Sequence, residues 1–558
     1  MRSVEEINGD LHIAVQHLNN LGSLLTNKGE FDAALAKLHE ALQISTELED
    51  SPGIARALGN IGTVYVSSFN FPEALAYYHR ALDLLETLGD RNSVSIVLGN
   101  IANVYTNCGE YPKALEYHQK SLEIAVSIQD LRAQAFSLGN IGVDYHGAGD
   151  ATQALKYYEQ ALHLHEEQGD RSEVGRVLNN IGIEYEVLGD DEKALSYYRQ
   201  AIATFDEIGF DVGLASVLGD AGTLLLRLGR VDEASEYISR QESLPRSILT
   251  ADLTAEINRS ILRELDNDMD GAHTLLTQAL ERTRATGLRL WETTILKRLR
   301  DLAQKRNDFA SYITYNDDLA RVTEEIRGTE TARRLTLYEA ERRITEERRA
   351  REREREVLYS TLPKHVADRV IKGENVNDNF EQAAVMFIDV VNFTSHSADM
   401  LPNDVVTLLE RLFARFDMIC EKHNVTKVKT IGDSYMCFKG DAGGLENVLA
   451  VAKAALEMRR TSVMWSNGEP LALRIGAHLG PVTAGVIGTQ RLQYDVWGDT
   501  VNVASRMEST SEPGRIQVSE AFAHVLRPPS SVLRSRGEVE IKGKGMMKSF
   551  WLEEYEER

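Results

Sequence analysis

The stretch LGNIGTVYVSSFNFPEALAYYHRAL, residues 58–82, decides the fold of the N-terminal half. Its first five residues return as LGNIA at 98, LGNIG at 138, LNNIG at 178 and LGDAG at 218, with LNNLG ahead at 18, always 40 residues apart. Its second half, FPEALAYYHRAL at 71, returns as YPKALEYHQKSL at 111, ATQALKYYEQAL at 151 and DEKALSYYRQAI at 191. Each block therefore holds two apolar-striped helices joined by a Gly-containing turn such as GDA at 149–151. Such a hairpin cannot bury its apolar face alone, so the blocks must stack into a solenoid.

Gly62, Tyr65, Ala74, Tyr78 and Ala81, with their equivalents 40 residues on, resemble the tetratricopeptide pattern in its longer variant over residues 11–245. Small residues let paired helices approach and tyrosine fills the gaps, so packing accounts for nearly all of these positions. One column differs. Asn20, Asn60, Asn100, Asn140 and Asn180 recur where an apolar residue or alanine would pack or propagate a helix better. Two roles stay open for them: caps between helices, or, as the resemblance implies, side chains lining a groove and bonding to a bound peptide backbone. The residue before each is Gly or Asn and never Lys or Arg, which argues against a clamp for an acidic C-terminal tail. A peptide or protein ligand of unknown identity is the expected partner of the array.

Residues 246–325 keep a helical texture without the strict period and read as degenerate, capping hairpins. A charged connector occupies 326–360; within it EAERRITEERRARERERE at 339–356 holds seven Glu and seven Arg, with opposite charges at i,i+4 spacing such as Glu347 and Arg351. Leu337, Ile344 and Leu358 share a heptad spacing that Arg351 interrupts. The segment reads either as a solvated single helix or as a short parallel coiled coil linking dimeric domains. The coil is favoured because of the character of the C-terminal domain it leads into.

Beyond LPKHVADRVIKGE, residues 362–374, the periodicity changes from helical to that of strands. AAVMFIDV at 383–390 is an apolar run ending on Asp389, a carboxylate that is costly in such a place unless a cation compensates it. VTKVKTIGDSYMCF at 425–438 reads as a hairpin with Gly432 and Asp433 at its turn. Two strand-end aspartates suggest a two-metal phosphate site, although spacing alone does not separate them from ordinary turn aspartates.

Taken together and in order, VMFIDVVNFT, KTIGDSYM, YDVWGDTVNVASRM and EIKGKG resemble the catalytic domain of class III nucleotide cyclases, over about residues 380–555 within a domain expected at 361–558. The resemblance implies a multidomain chain: the all-α solenoid, the helical connector, and an α+β ferredoxin-like (βαββαβ) domain that dimerises head to tail with active sites between the copies. It implies that Asp389, Asp433 and the Val390 carbonyl bind two Mg²⁺ or Mn²⁺ ions per site. The turn through Phe393 and Thr394 would cradle phosphates with its N–H groups. Asn502 would position the ribose and Arg506 meet charge on the α-phosphate; Arg515 and Lys542 would bind the triphosphate, with Lys544 an alternative to Lys542. No His or Glu stands out as a general base, so metal activation of the attacking hydroxyl is expected.

Lys429 and Asp495 fall on the base-selecting positions that the resemblance implies. Adenine presents an acceptor at N1 and a donor at N6, which suit Lys and Asp; guanine reverses both. The Glu and Cys arrangement of guanylate cyclases is absent. The expectation is an adenylate cyclase, a phosphorus–oxygen lyase turning ATP into 3′,5′-cyclic AMP and pyrophosphate, homodimeric through the catalytic domain and connector. A guanylate cyclase and a catalytically silent cyclase-like scaffold are the alternatives. Lys and Arg total 62 against 85 Asp and Glu, a net charge of −23, which disfavours nucleic-acid or anionic-membrane partners. The start lacks the apolar core of a signal peptide, and the three cysteines, Cys108, Cys420 and Cys437, are too few and too scattered for a disulfide frame or a zinc site. A cytoplasmic protein is the expectation.

Overall fold

The computed structural model describes residues 4–245, 249–398, 400–465, 468–488, 492–526, 532–542 and 544–553. The chain forms two compact units, Met1–Glu347 and Arg348–Arg558. Among the described residues no helix is long and apolar enough to cross a membrane.

In the first unit, six helical hairpins run from Val4–Asn27 through Val231–Ser243. Aspartates open many of the helices: Asp50, Asp90, Asp130, Asp150, Asp170 and Asp190 each accept a hydrogen bond from the backbone N–H three residues on. That satisfies a donor the helix start would otherwise leave free. Within hairpins, bare glycine backbone faces a tyrosine ring. A Cβ on Gly62, Gly142 or Gly182 would sit 2.6, 2.5 or 2.5 Å from Tyr78, Tyr158 or Tyr198. The third hairpin departs from this, with Ala102 and His118 in the two columns. His118 Nδ1 lies 2.7 Å from the Asp144 carboxylate, and Thr106 donates to the same carboxylate at 2.5 Å, so a buried polar cluster replaces the ring.

Past the periodic hairpins, helices Leu249–Leu265, Met269–Thr286 and Arg289–Lys305 pack around Leu276, Ile295, Leu296 and Leu299, together with Leu319 and Val322 from the start of a 53-residue helix, Phe309–Thr361. This one helix runs uninterrupted through the expected end of the cap and the whole expected connector, so the boundary foreseen near residue 326 is not a break. Nor is the heptad stripe of the expected connector free to form a coiled coil in the single chain. Leu337 and Ile344 are 0% and 8% exposed within the single chain, because they pack against the repeats rather than awaiting a second helix.

The second unit is built on an eight-stranded sheet: β1 (Asn377–Val390), β2 (Thr426–Ile431), β3 (Ser434–Lys439), β4 (Leu473–Ile487), β5 (Gln493–Trp497), β6 (Ile516–Ser519), β7 (Leu533–Ile541) and β8 (Gly545–Leu552). The order is β2-β3-β1-β4-β6-β8-β7, with β5 paired to β4. Its β2-β3-β1-β4 half is antiparallel and, with helices Pro402–Lys422 and Gly444–Arg459 as crossovers, gives the ferredoxin-like arrangement. The apolar run in β1 is explained by two cores. Ala384, Met386 and Ile388 face the crossover helices, while Ala383, Val385 and Phe387 face Tyr494, Val496 and Ala504 on the other side, with Val366 of helix Lys364–Ile371. Helix Asp499–Ser509 lies directly on β4, where a Cβ on Gly476 would fall 1.9 Å from the Glu508 nitrogen. Only glycine permits that approach.

Candidate active site

Sheet register sets the acidic end of the site. Asp389 lies opposite Arg474 across β1 and β4, and Arg474 donates to its carboxylate at 2.6 Å. Asp433 comes directly after Gly432, whose φ of 64° makes the β2–β3 turn. Burial, and next the neighbouring Asp389 carboxylate, push the Asp433 carboxyl above its usual range. Glu508, from helix Asp499–Ser509, completes the cluster: its carboxylate is 3.3 Å from Arg474 Nε, close enough to pair but not aligned for a hydrogen bond. Burial, and then Asp389, push Glu508 up to about 7, with Arg474 acting the other way.

Three carboxylates around one guanidinium are a donor set short of positive charge, and two of them, Asp389 and Asp433, are neighbours. Oxygen-only donors of this kind suit a hard cation such as Mg²⁺ or Mn²⁺. Among the described residues no group of three or more His, Cys, Asp and Glu side chains could hold an ion. Asp389, Asp433 and the Val390 carbonyl would therefore be completed by substrate phosphate and water, the habit of Mg²⁺ in nucleotide sites. The residues fit the group.

At the other end, Lys429 of β2 donates to Asp495 of β5 at 2.6 Å, across 66 residues of sequence. The Asp495 side chain is 10% exposed and that of Lys429 30%; the second Asp495 oxygen accepts from the Val496 N–H at 2.8 Å. Asn502 and Arg506 occupy the exposed face of helix Asp499–Ser509, whose other face buries Val503, Ala504 and Met507. Their i,i+4 spacing puts both on one side.

The remaining expected residues are more scattered. Phe393 and Thr394 open the short helix Phe393–Ser397 after Asn392, which has a φ of 57°, and the Phe393 ring packs 6.1 Å from that of Trp465. Their N–H groups fall in the first turn, where no intrahelical acceptor exists. Arg515 lies over the Trp551 ring at 5.1 Å and 3.4 Å from Glu512. Lys542 is exposed at the end of β7, whereas Lys544 is paired with Asp499 at 2.5 Å. Sequence reasoning passed over Arg474 and Glu508. Glu508 lies two residues past Arg506 on the same helix, and its buried phase on that helix was the available signal.

In the array, Asn60 donates to Asn19 of the preceding hairpin at 2.8 Å, a bond between repeats. Asn60 and Asn100 also line one cleft of about 240 Å³ with Arg56, Asp90 and Ile96. Asn140 and Asn180 are half-buried.

Residues 376–554 match the family model described as "Adenylate and Guanylate cyclase catalytic domain". Residues 14–87, 93–167 and 132–207 match a tetratricopeptide repeat model. An adenylate cyclase of Mycobacterium tuberculosis is 39% identical over 228 residues, which are 40% of this chain and 49% of that protein. The guanylate cyclase soluble subunit beta-2 of Rattus norvegicus is 35% identical over 264 residues, 46% of this chain and 39% of that protein. The chain thus spans about half or less of the length of these curated relatives. Among solved structures, the guanylate cyclase domain of a Catenaria anguillulae protein in complex with GTP aligns at 34% identity and a TM-score of 0.31, over 32% of this chain and all of that one.

Proposed function

For a chain that joins tetratricopeptide repeats to an adenylate and guanylate cyclase catalytic domain, we propose conversion of ATP to 3′,5′-cyclic AMP and pyrophosphate, at sites shared between two copies. The observation that carries the choice of purine is the Lys429–Asp495 pair, 2.6 Å apart and largely shielded from water. Adenine N1 accepts from Lys429 while the N6 amino group donates to Asp495. Guanine would bring a donor against the ammonium and an acceptor against the carboxylate, leaving buried groups unpaired, which discriminates by about 10⁴-fold or more.

The chain's own groups supply the rest. Asp389 and Asp433 concentrate negative charge at the end of β1 and the β2–β3 turn, where they would hold the divalent ions, with the Val390 carbonyl beside them. When bound, those ions supply acidification of the 3′-hydroxyl and neutralisation of the phosphates. Asn502 orients the ribose so that the 3′-oxygen is in line with the α-phosphorus. Arg506, one turn along and exposed, stabilises charge on the α-phosphate as pyrophosphate departs. Arg515 and Lys542 bind the outer phosphates; with Lys544 held by Asp499, Lys542 is the freer choice of the two. Lys429, Asp495, Asn502 and Arg506 of one copy serve the aspartates of the other. The expected setting is the cytoplasm. The asparagine column offers amides to a peptide partner in the groove, with Asn60 already committed on one side to its neighbouring repeat.

The test is direct. Purified protein is given ATP or GTP with Mg²⁺ or Mn²⁺, and the cyclic product is separated by chromatography. Cyclic AMP in excess supports the reading; cyclic GMP in excess, or neither product, overturns it.

A further inference from the structure

The long helix does more than lead from one unit to the next. Its residues 333–344 lie on the repeats, more than 200 positions away in sequence. Lys113 donates to the Glu341 carboxylate at 2.7 Å, and its ammonium sits over two rings, Tyr105 at 5.4 Å and Tyr338 at 4.8 Å. Tyr338 donates to Glu110 at 2.9 Å, and Arg334 lies 3.3 Å from the same carboxylate. Arg333 covers the Phe69 ring at 5.6 Å. Between these polar contacts runs an apolar stripe, Leu337, Ala340 and Ile344, at most 8% exposed.

The repeats carry a second mark of this contact. Tyrosines stack in pairs along the array, Tyr65 on Tyr77, Tyr105 on Tyr117, Tyr145 on Tyr157 and Tyr185 on Tyr197, with centroids 5.4–5.5 Å apart. Tyr65, Tyr145 and Tyr185 remain half-exposed, but Tyr105, at the docking point, is 2% exposed.

Leu337, Ala340 and Ile344 are also the a and d positions of the heptad in this segment. One stripe cannot face the repeats and a second helix at the same time. We propose that docking on the third hairpin holds the helix in a state that excludes pairing with its copy, and that release lets the two helices pair and raises turnover. The effect on turnover rests on the reading of residues 376–554 as a cyclase that works as a dimer. The Lys113–Glu341 pair is half-buried and each partner is a long side chain, so the latch is held by contacts that a competing ligand of Glu110 and Lys113 can replace.

The experiment reverses one charge on the array and leaves the helix stripe intact. In full-length protein, Lys113→Glu sets a carboxylate against Glu341 and shifts the docked-to-released ratio about tenfold. Adding Glu341→Lys restores an ion pair of opposite polarity. Turnover of ATP and GTP is measured in both variants. In parallel, a spin label on Leu335→Cys, a position 59% exposed, reports the distance between two copies of the helix; Cys108, which packs with Leu337 and Ile344, is replaced by serine in every protein labelled, and Cys420 and Cys437 are buried in the second unit. Lys113→Glu is expected to raise turnover several-fold and to produce one narrow interchain distance, and the second substitution is expected to undo both. An unchanged distance distribution, or changes that Glu341→Lys fails to reverse, overturns the latch. If no variant cyclises either nucleotide while the distances respond and revert, the docking switch stands and the cyclase reading fails.

Discussion

Lys429→Glu separates binding chemistry from fold stability, because it meets Asp495 across a known gap. The two groups are 2.6 Å apart, and unit charges some 4 Å apart interact by about 4 kcal/mol at an effective dielectric of about 20. Lys429 keeps 30% of its side chain in water, so about 1–2 kcal/mol of attraction survives screening. Glutamate turns that attraction into repulsion, and the folded catalytic unit should lose about 2–3 kcal/mol. Asp495→Cys added to it removes the repulsion and should return about 1–2 kcal/mol. On the catalytic side, each lost hydrogen bond to a charged group costs about 1.5–3 kcal/mol, so kcat/KM for ATP should fall about 10- to 150-fold in either single variant. In the double variant the purine preference should move toward GTP. Denaturant unfolding and kcat/KM for both nucleotides, measured on all four proteins, form one cycle. Lys429→Glu as stable as the double variant, or a double variant that keeps the wild-type ratio of ATP to GTP, would refute the role given to the Lys429–Asp495 pair.

Three further tests address other parts of the molecule. Asp389→Ala and Arg506→Ala should each abolish turnover while keeping the fold, and co-refolding them should restore up to about a quarter of wild-type activity, since random pairing leaves one native site in half of the dimers; mixed dimers that form yet stay silent would rule out shared sites. His478 is largely buried beside Ser519, and burial pushes it down to about 4 from an unfolded value near 6.5. The native state therefore stays unprotonated where the unfolded chain takes up a proton, so this contribution is intact above pH ~6.5 and is lost as pH falls toward ~4, by about 3 kcal/mol; His478→Gln should flatten that slope in unfolding titrations, and an identical pH dependence would refute it. Gly142→Ala should lower the melting temperature, because overpacking against Tyr158 costs about 1–3 kcal/mol and better helix propensity returns at most about 1 kcal/mol. Tyr158→His on the same chain copies the Ala102 and His118 pairing of the third hairpin and should recover part of the loss; no recovery would show that the ring is not the obstacle.

The parts of the fold that repeat were readable because repetition is itself a measurement. Six copies of one motif fix the period and the helices. The β1 strand was readable for a different reason: a run of apolar residues with no alternation needs a core on each side, and both cores are there. The candidate catalytic residues came from ordered motifs rather than from spacing. Asp389 and Asp433 say little as isolated strand-end carboxylates, and only the sheet register brings Arg474, 85 residues from Asp389, against its carboxylate. A lone arginine in a strand carries no local signal of that kind. The connector misled for the same physical reason. Heptad spacing at Leu337 and Ile344 states that a stripe will be buried, but not by what, and the array satisfies it as well as a second helix would.

The 53-residue helix has one more consequence. From Phe309 to Ile344 it advances about 50 Å at 1.5 Å per residue, and over that span it runs from the helices Leu249–Leu265, Met269–Thr286 and Arg289–Lys305 back to the third hairpin. It is therefore a ruler. Gaining or losing one 40-residue block between residues 128 and 308 would carry Glu110 and Lys113 away from Tyr338 and Glu341, whereas blocks added ahead of Phe69 would not move them. The number of repeats on the C-terminal side of the docking point is constrained by the length of a rigid rod, and the number on the N-terminal side is free to drift.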